Sequence, residues 1–352
     1  MSAAELPPAI AADLARGLVI PAHPLALDAG RTLDRRRQRA LTRYYLDAGS
    51  GGLAVGVHTT QFEIREHDLF EPVLELAART VGEWTDRDPV MVAGVAGGTR
   101  QAVAEAATAR ALGYHAALVS PAPFREASED ELLEHARAIG EVLPVIGFYL
   151  QPAVGGRPLS VDFWRRLAAL PCTVAIKIAP FHRHRTVDVV RGLIAARAED
   201  RVTLYTGNDD HIVADLLAPF VHRRDGEDVA VRIRGGLLGQ WAVWTRAAVE
   251  LHARCREAAD AGAVPADLLA IDAQLTDANG AVFDVANDFR GVIAGVHEVL
   301  RAQGLLEGTW CLDPRETLSP GQAAEIRRVA RDYPHLTDDA FVAERLERWM
   351  ED

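Results

Sequence analysis

The feature that most narrows the fold of this chain is a regular alternation of short apolar runs, rich in Val, Ile, Ala and Gly, with longer amphipathic stretches. Runs that are apolar throughout, rather than at every second residue, are typical of parallel strands covered on both faces by crossover helices. Eight such runs can be counted, at residues 18–25, 52–57, 90–95, 115–121, 145–150, 173–179, 202–207 and 229–234. Between them, segments such as TRQAVAEAATARAL (99–112) and SEDELLEHARAIGEV (128–142) have helical spacing. The second opens with Ser128 and Glu131 in a capping-box arrangement. Eight strand–helix units predict a closed (β/α)8 TIM barrel. No GxGxxG follows the first strand, which argues against an open dinucleotide-binding sheet. Beyond Leu238 the strand signal fades and helical patterns occupy 241–255, the surroundings of Ile271, 285–303 and the chain from Pro320 onward. The expected organisation is a barrel over residues 1–240 and a C-terminal helical extension over 241–352.

A length of 352 residues suits a barrel with an appendage. The formal net charge of −12, with no long basic run, argues against nucleic acid and anionic membrane surfaces as partners. No apolar stretch is long enough to span a bilayer, and the N-terminus lacks a basic start followed by an apolar run, so a cytoplasmic location is expected. Cys172, Cys255 and Cys311 are scattered without CxxC spacing and read as buried thiols, with no metal site.

In a barrel the reactive groups lie at the C-terminal ends of the strands. In TVAIKIAP, strand alternation sets Val174, Ile176 and Ile178 on one face and Ala175, Lys177 and Ala179 on the other. Lys177 then points inward among small neighbours. Desolvation there favours the neutral amine, a nucleophile toward carbonyls; the alternative is a lysine that reaches the barrel mouth or pairs with a carboxylate. In PVIGFYLQP, counting parity from Val145 and Gly147 brings Tyr149 inward as a lateral neighbour of Lys177, a phenol placed to move protons. Its plainer reading is a core tyrosine. In VGVHTTQFE, Ala54, Gly56 and His58 share the inward face, and Thr59 with Thr60 opens a turn suited to a carboxylate.

This ordered set resembles the dihydrodipicolinate synthase and N-acetylneuraminate lyase superfamily of pyruvate-dependent Schiff-base aldolases. The likeness runs from about Leu18 to Leu336. It rests on AGSGGLAVGVHTT in place of the family's GTTGE-type loop, VMVAGVAGGT on the third strand, PVIGFYLQP, AIK, and GLLEGTWCLDPRETLSPGQAAEI in the C-terminal helices. The resemblance implies Lys177 as the Schiff-base lysine, Tyr149 as the proton-shuttling tyrosine, and Thr59 with Thr60 as the carboxylate site. It also implies that the segment Tyr205 to Asp210, with Asn208 and Asp209, faces the distal part of the substrate, that no cofactor is needed, and that the assembly is a homo-oligomer, dimer or tetramer.

The departures concern the second substrate. Where the synthases carry a further tyrosine after strand four, this chain reads Ser120-Pro121-Ala122-Pro123-Phe124. Where they carry an arginine after the YNVP-type motif it reads Ala153-Val154-Gly155-Gly156, with Arg157 displaced. Dihydrodipicolinate formation is therefore not expected. Arg232 and Arg234 ahead of a Gly235-Gly236 turn, and the His182-Arg183-His184-Arg185 loop, suggest an anionic group on the substrate; a solvated loop accounts for the latter run equally well. Asp209 and Asp210 would orient hydroxyls, or cap a helix starting at His211. The leading expectation is a class I aldolase or lyase acting on pyruvate or a related small-molecule 2-oxo acid. The alternatives are a deoxy-keto sugar acid dehydratase using the same imine, a barrel that binds a 2-oxo acid without turnover, and a phosphate-binding barrel using Gly235-Gly236.

Overall fold

The computed structural model describes residues 5–152 and 155–351, with Pro123 described in its backbone only. Its strands are β1 (Val19–Pro21), β2 (Gly52–Val55), β3 (Val90–Val95), β4 (Ala116–Val119), β5 (Val145–Tyr149), β6 (Thr173–Ile178), β7 (Thr203–Thr206), β8 (Pro219–Arg224) and β9 (Glu227–Leu238). The barrel order is β1-β9-β7-β6-β5-β4-β3-β2, all parallel, and a parallel bridge between Ala22 and Ala54 joins the first and last members. The eight-stranded (β/α)8 barrel expected from the alternation is therefore present.

Two layers of burial follow from strand parity. Ile20, Ala54, Val92, Leu118, Ile146, Phe148, Ala175 and Tyr205 point into the barrel and form an inner cluster. Their neighbours point outward and join the helices in a larger cluster running from Val19 to Trp349. The helices are α1 (Pro8–Arg16), α2 (Arg35–Ala48), α3 (Phe70–Trp84), α4 (Thr99–Ala111), α5 (Glu129–Gly140), α6 (Val161–Ala169), α7 (Arg183–Ala195) and α8 (Ile212–Leu217), followed by α9 (Thr245–Ala261), α10 (Ala266–Val282), α11 (Val292–Ala302), α12 (Gln322–Asp332) and α13 (Asp339–Trp349). The Ser128–Glu131 capping box opens α5 as expected. Ile10 and Leu14 of α1 belong to the inner cluster, so this helix plugs one end of the barrel. The carboxylate of Asp47 accepts hydrogen bonds from the indoles of Trp84 (2.9 Å) and Trp349 (2.8 Å), tying α13 to the outer ring.

The eighth strand differs from expectation. Residues 227–232 pair antiparallel with β8 across an Asp225-Gly226 turn whose two residues both have positive φ, the signature of a tight hairpin. The stave that closes the barrel is the later part of β9, with Ile233 opposite Leu204 and Gly236 opposite Val19. Gly235 and Gly236 are thus strand residues and do not form a phosphate-binding turn. A Cβ on Gly235 would lie 2.4 Å from the carbonyl oxygen of Leu18, so glycine there permits the backbones to meet. Arg232 and Arg234 line a separate cavity beside α1, with Arg16, His252 and Arg256, and do not reach Lys177. Among the described residues no helix is long and apolar enough to cross a membrane.

Candidate active site

Lys177 stands on the inner face of β6 with 8% of its surface exposed. It opens onto a cavity of about 690 Å³, mouth included, at the end of the barrel where the strands finish. Its Nζ lies 4.4 Å from the centre of the Phe148 ring. Burial lowers its pKa from 10.5 to about 8, while the Asp209 carboxylate pulls the other way. Asp209 responds in kind: burial raises its pKa to about 7, against the opposing charge of Lys177. The two groups form a desolvated acid–base pair in which burial disfavours the charged form of each. Gly207, just past the end of β7, makes room for the lysine, since a Cβ there would lie 2.6 Å from Lys177 Cε.

One compositional fact sharpens the position of this amine. Of the 38 lysine and arginine residues in the chain, Lys177 is the only lysine. Arginine serves every other basic position, and a guanidinium is not a nucleophile at any pH a protein meets.

The threonine turn lies where the sequence suggests, but its hydroxyl protons are engaged. Thr59 donates to the carbonyl of Ala22 at 2.7 Å, and Thr60 donates to that of His23 at 2.6 Å. Thr59 lines the cavity; Thr60 is buried behind it, accepting from the amide of Gly56 at 3.0 Å. His58 also lines the cavity, and burial together with the charge of Lys177 lowers its pKa to about 4. It is therefore a neutral imidazole across the working pH range.

Tyr149 does not face Lys177. It packs on the outer side of β5 against Trp164, ring centres 4.9 Å apart, and its hydroxyl oxygen accepts from the Leu159 amide at 3.2 Å. The cause is a register shift between β5 and β6. Val145 pairs with Thr173 but Ile146 pairs with Ala175, skipping Val174, so Phe148 falls opposite Lys177 and Tyr149 opposite Ile178. An uninterrupted ladder from Val145 would have paired Tyr149 with the lysine. A one-residue slip exchanges the faces.

Asn208 and Asp209 separate in the same way. Asn208 turns into the wall, donating to Asp215 (2.9 Å) and accepting from the Phe181 amide (3.2 Å), whereas Asp209 faces the cavity and accepts from the Gln240 amide at 3.3 Å. Neither Asp209 nor Asp210 caps α8; Asp272 does so through the Ala214 amide at 3.0 Å. The expected basic loop is mostly helical. His182 precedes α7, Arg183 pairs with the fully buried Asp215, and Arg185 pairs with Asp188 at 3.4 Å. Arg157 holds the carbonyls of Phe124, Arg125 and Ala127. Ala153 and Val154, half of the stretch where the synthases carry their arginine, lie outside the described residues.

The far wall of the cavity was not legible in the sequence. It consists of Leu118, Leu150, Phe181 and, from the C-terminal region, Phe283, Phe289 and Val292. Phe283 and Phe289 lie in the join between α10 and α11, where Asp284, Asp288 and Phe289 all have positive φ, and Val292 opens α11. Among the described residues no cluster of His, Cys, Asp and Glu has the makings of a metal site.

Comparison with known proteins agrees with the barrel fold. The Dihydrodipicolinate synthetase family matches residues 16–220. The 4-hydroxy-tetrahydrodipicolinate synthase of Aromatoleum aromaticum is 30% identical over 192 residues, 53% of this chain and 61% of that enzyme. The chain thus spans about three-fifths of that relative's length. Among solved structures, YagE of E. coli K12, a prophage protein of the dihydrodipicolinic acid synthase family in complex with pyruvate, matches with a TM-score of 0.73 at 19% identity, over 90% of this chain and 98% of that one. N-acetylneuraminate lyase from Fusobacterium nucleatum matches with a TM-score of 0.70 at 15% identity, over 90% of this chain and 99% of that one. At such identities the two structures share the fold. The sequence match over more than half its length makes this chain a divergent member of the dihydrodipicolinate synthetase family.

Proposed function

We propose that the protein is a class I aldolase that cleaves or forms a carbon–carbon bond through an imine between Lys177 and pyruvate or a related 2-oxo acid. The observation that carries this reading is that the chain's only lysine is a desolvated amine facing the cavity at the mouth of the barrel. Burial lowers its pKa to about 8, so far more of the amine is neutral near pH 7 than in an ordinary lysine.

The neutral nitrogen adds to C2 of the keto acid, and one N–H proton passes to the former carbonyl oxygen. A second proton, from Asp209, lets that oxygen leave as water and leaves a protonated imine. In the cleavage direction the Asp209 carboxylate takes the proton of the C4 hydroxyl as the imine draws in the electron pair of the C3–C4 bond and an aldehyde departs; that proton is returned to C3 of the enamine, and the imine so formed is hydrolysed. Asp209 suits the donor role because burial keeps part of it protonated near neutrality. The carboxylate of the keto acid would sit at the turn carrying His58 and Thr59. The pathway of the synthases is not proposed, because Phe148, not a phenol, stands opposite the lysine and no arginine lines the cavity among the described residues.

The test is reduction with borohydride in the presence of pyruvate, read by intact mass. The wild type should gain one reduced pyruvate and Lys177→Ala none, at matched thermal stability. Equal labelling of both proteins would remove the imine from the account.

A further inference from the structure

We propose that the carbonyl partner released or consumed at this site is an apolar aldehyde, branched or aromatic, and not a polyhydroxylated or carboxylated one. This deepens the aldolase reading and rests on it for the reaction, though not for the binding preference. The ionisable groups at the lysine end of the cavity are His58, Lys177 and Asp209. Beyond them the wall is Leu118, Leu150, Phe181, Phe283, Phe289 and Val292, and the rings of Phe181 and Phe289 are centred 6.0 Å apart. Such a surface rewards apolar contact and leaves hydroxyls without partners. Each unpaired hydroxyl taken from water costs roughly tenfold or more in binding. A sugar-like tail with several hydroxyls would find Gln151 as the one side-chain amide on the wall among the described residues.

A second carboxylate is disfavoured for a separate reason. No arginine lines this cavity among the described residues, and three from the loops around it are engaged elsewhere: Arg157 on three carbonyls, Arg183 on Asp215, Arg185 on Asp188. The negative charge of Asp209 would oppose a further anion.

The test has two arms. In the first, the wild type is given pyruvate with benzaldehyde, 2-methylpropanal, glyceraldehyde or succinic semialdehyde, and aldol formation is followed by mass spectrometry. The apolar aldehydes should exceed the polar pair in kcat/KM by about a hundredfold. In the second, calorimetry compares 4-phenyl-2-oxobutanoate with a 3-deoxy-2-oxo sugar acid on wild type and on Lys177→Ala, which removes imine chemistry from the measurement; the phenyl compound should bind at least about tenfold more tightly to both. Phe289→Asn, at a position of φ 64° that asparagine tolerates, should reduce the preference about tenfold. Equal or better use of the polar compounds in either arm overturns the inference. Tighter binding of the phenyl compound without any borohydride-trapped adduct would uphold the binding preference while removing the aldolase reading.

Discussion

Gly207→Ala offers a measured way to disturb the proposed nucleophile without deleting it. The new methyl carbon would lie 2.6 Å from Lys177 Cε, 3.2 Å from Lys177 Cγ and 2.7 Å from Ala179 Cβ. Carbon atoms rest about 3.5–4.0 Å apart, so roughly 1 Å of retreat is required. Ala179 follows directly on β6 and moves little, which leaves the lysine stem to rotate away. The backbone at Gly207 is outside the left-handed region, so alanine fits its conformation and the effect is steric. Overpacking of this kind costs about 1–3 kcal/mol, partly offset by up to ~1 kcal/mol from the stiffer unfolded chain. A displacement of about 1 Å at a reacting atom is worth about a hundredfold in rate. The assay is the rate of borohydride trapping with pyruvate beside a denaturant unfolding curve. Gly82→Ala on α3, where the added carbon meets nothing within 4 Å, serves as the control. If Gly207→Ala traps pyruvate within about twofold of the wild-type rate, the side chain of Lys177 does not lie where this account puts it.

Tyr149→Phe should leave turnover within about twofold of wild type while costing about 1–3 kcal/mol in denaturant unfolding, because the Leu159 amide loses its acceptor. A large loss of turnover at unchanged stability would return the tyrosine to the mechanism. The trapping rate should turn down at alkaline pH, where Asp209 has lost the proton it donates, and its acid limb should climb with pH, since deprotonation creates the nucleophile. Asp209→Asn removes the one charge that holds the lysine pKa up, so the same limb should move to lower pH; a shift the other way would contradict the pairing. Trp349→Ala should cost about 3–5 kcal/mol in denaturant unfolding, since the indole is fully buried and bonded to Asp47.

The parts of the fold legible in the sequence were those set by local pattern. The Ala-Lys-Ala face of β6 can be read directly, because small residues flank the lysine and bulky ones fill the other side. The face of β5 cannot, because the slip at Val174 lies in the pairing of two strands and leaves no mark on either one. The β8–β9 hairpin carries a clear Asp-Gly turn, yet its first strand alternates exposed and half-buried residues and lacks the apolar run that marks a barrel stave. The aromatic wall depends on how distant segments meet: Phe283 and Phe289 join Leu118 and Leu150 only through the closure of the barrel end by α10 and α11. The solitary lysine was available in the composition throughout, and it is the simplest signal for the site.

That solitude makes a single peptide-mass measurement decisive. After reduction with pyruvate and proteolysis, the added mass should appear on the peptide containing Lys177 and nowhere else. Modification confined to the N-terminal amine, or a Lys177 peptide that stays unlabelled at saturating pyruvate while the protein turns substrate over, would contradict the claim that this amine is the nucleophile.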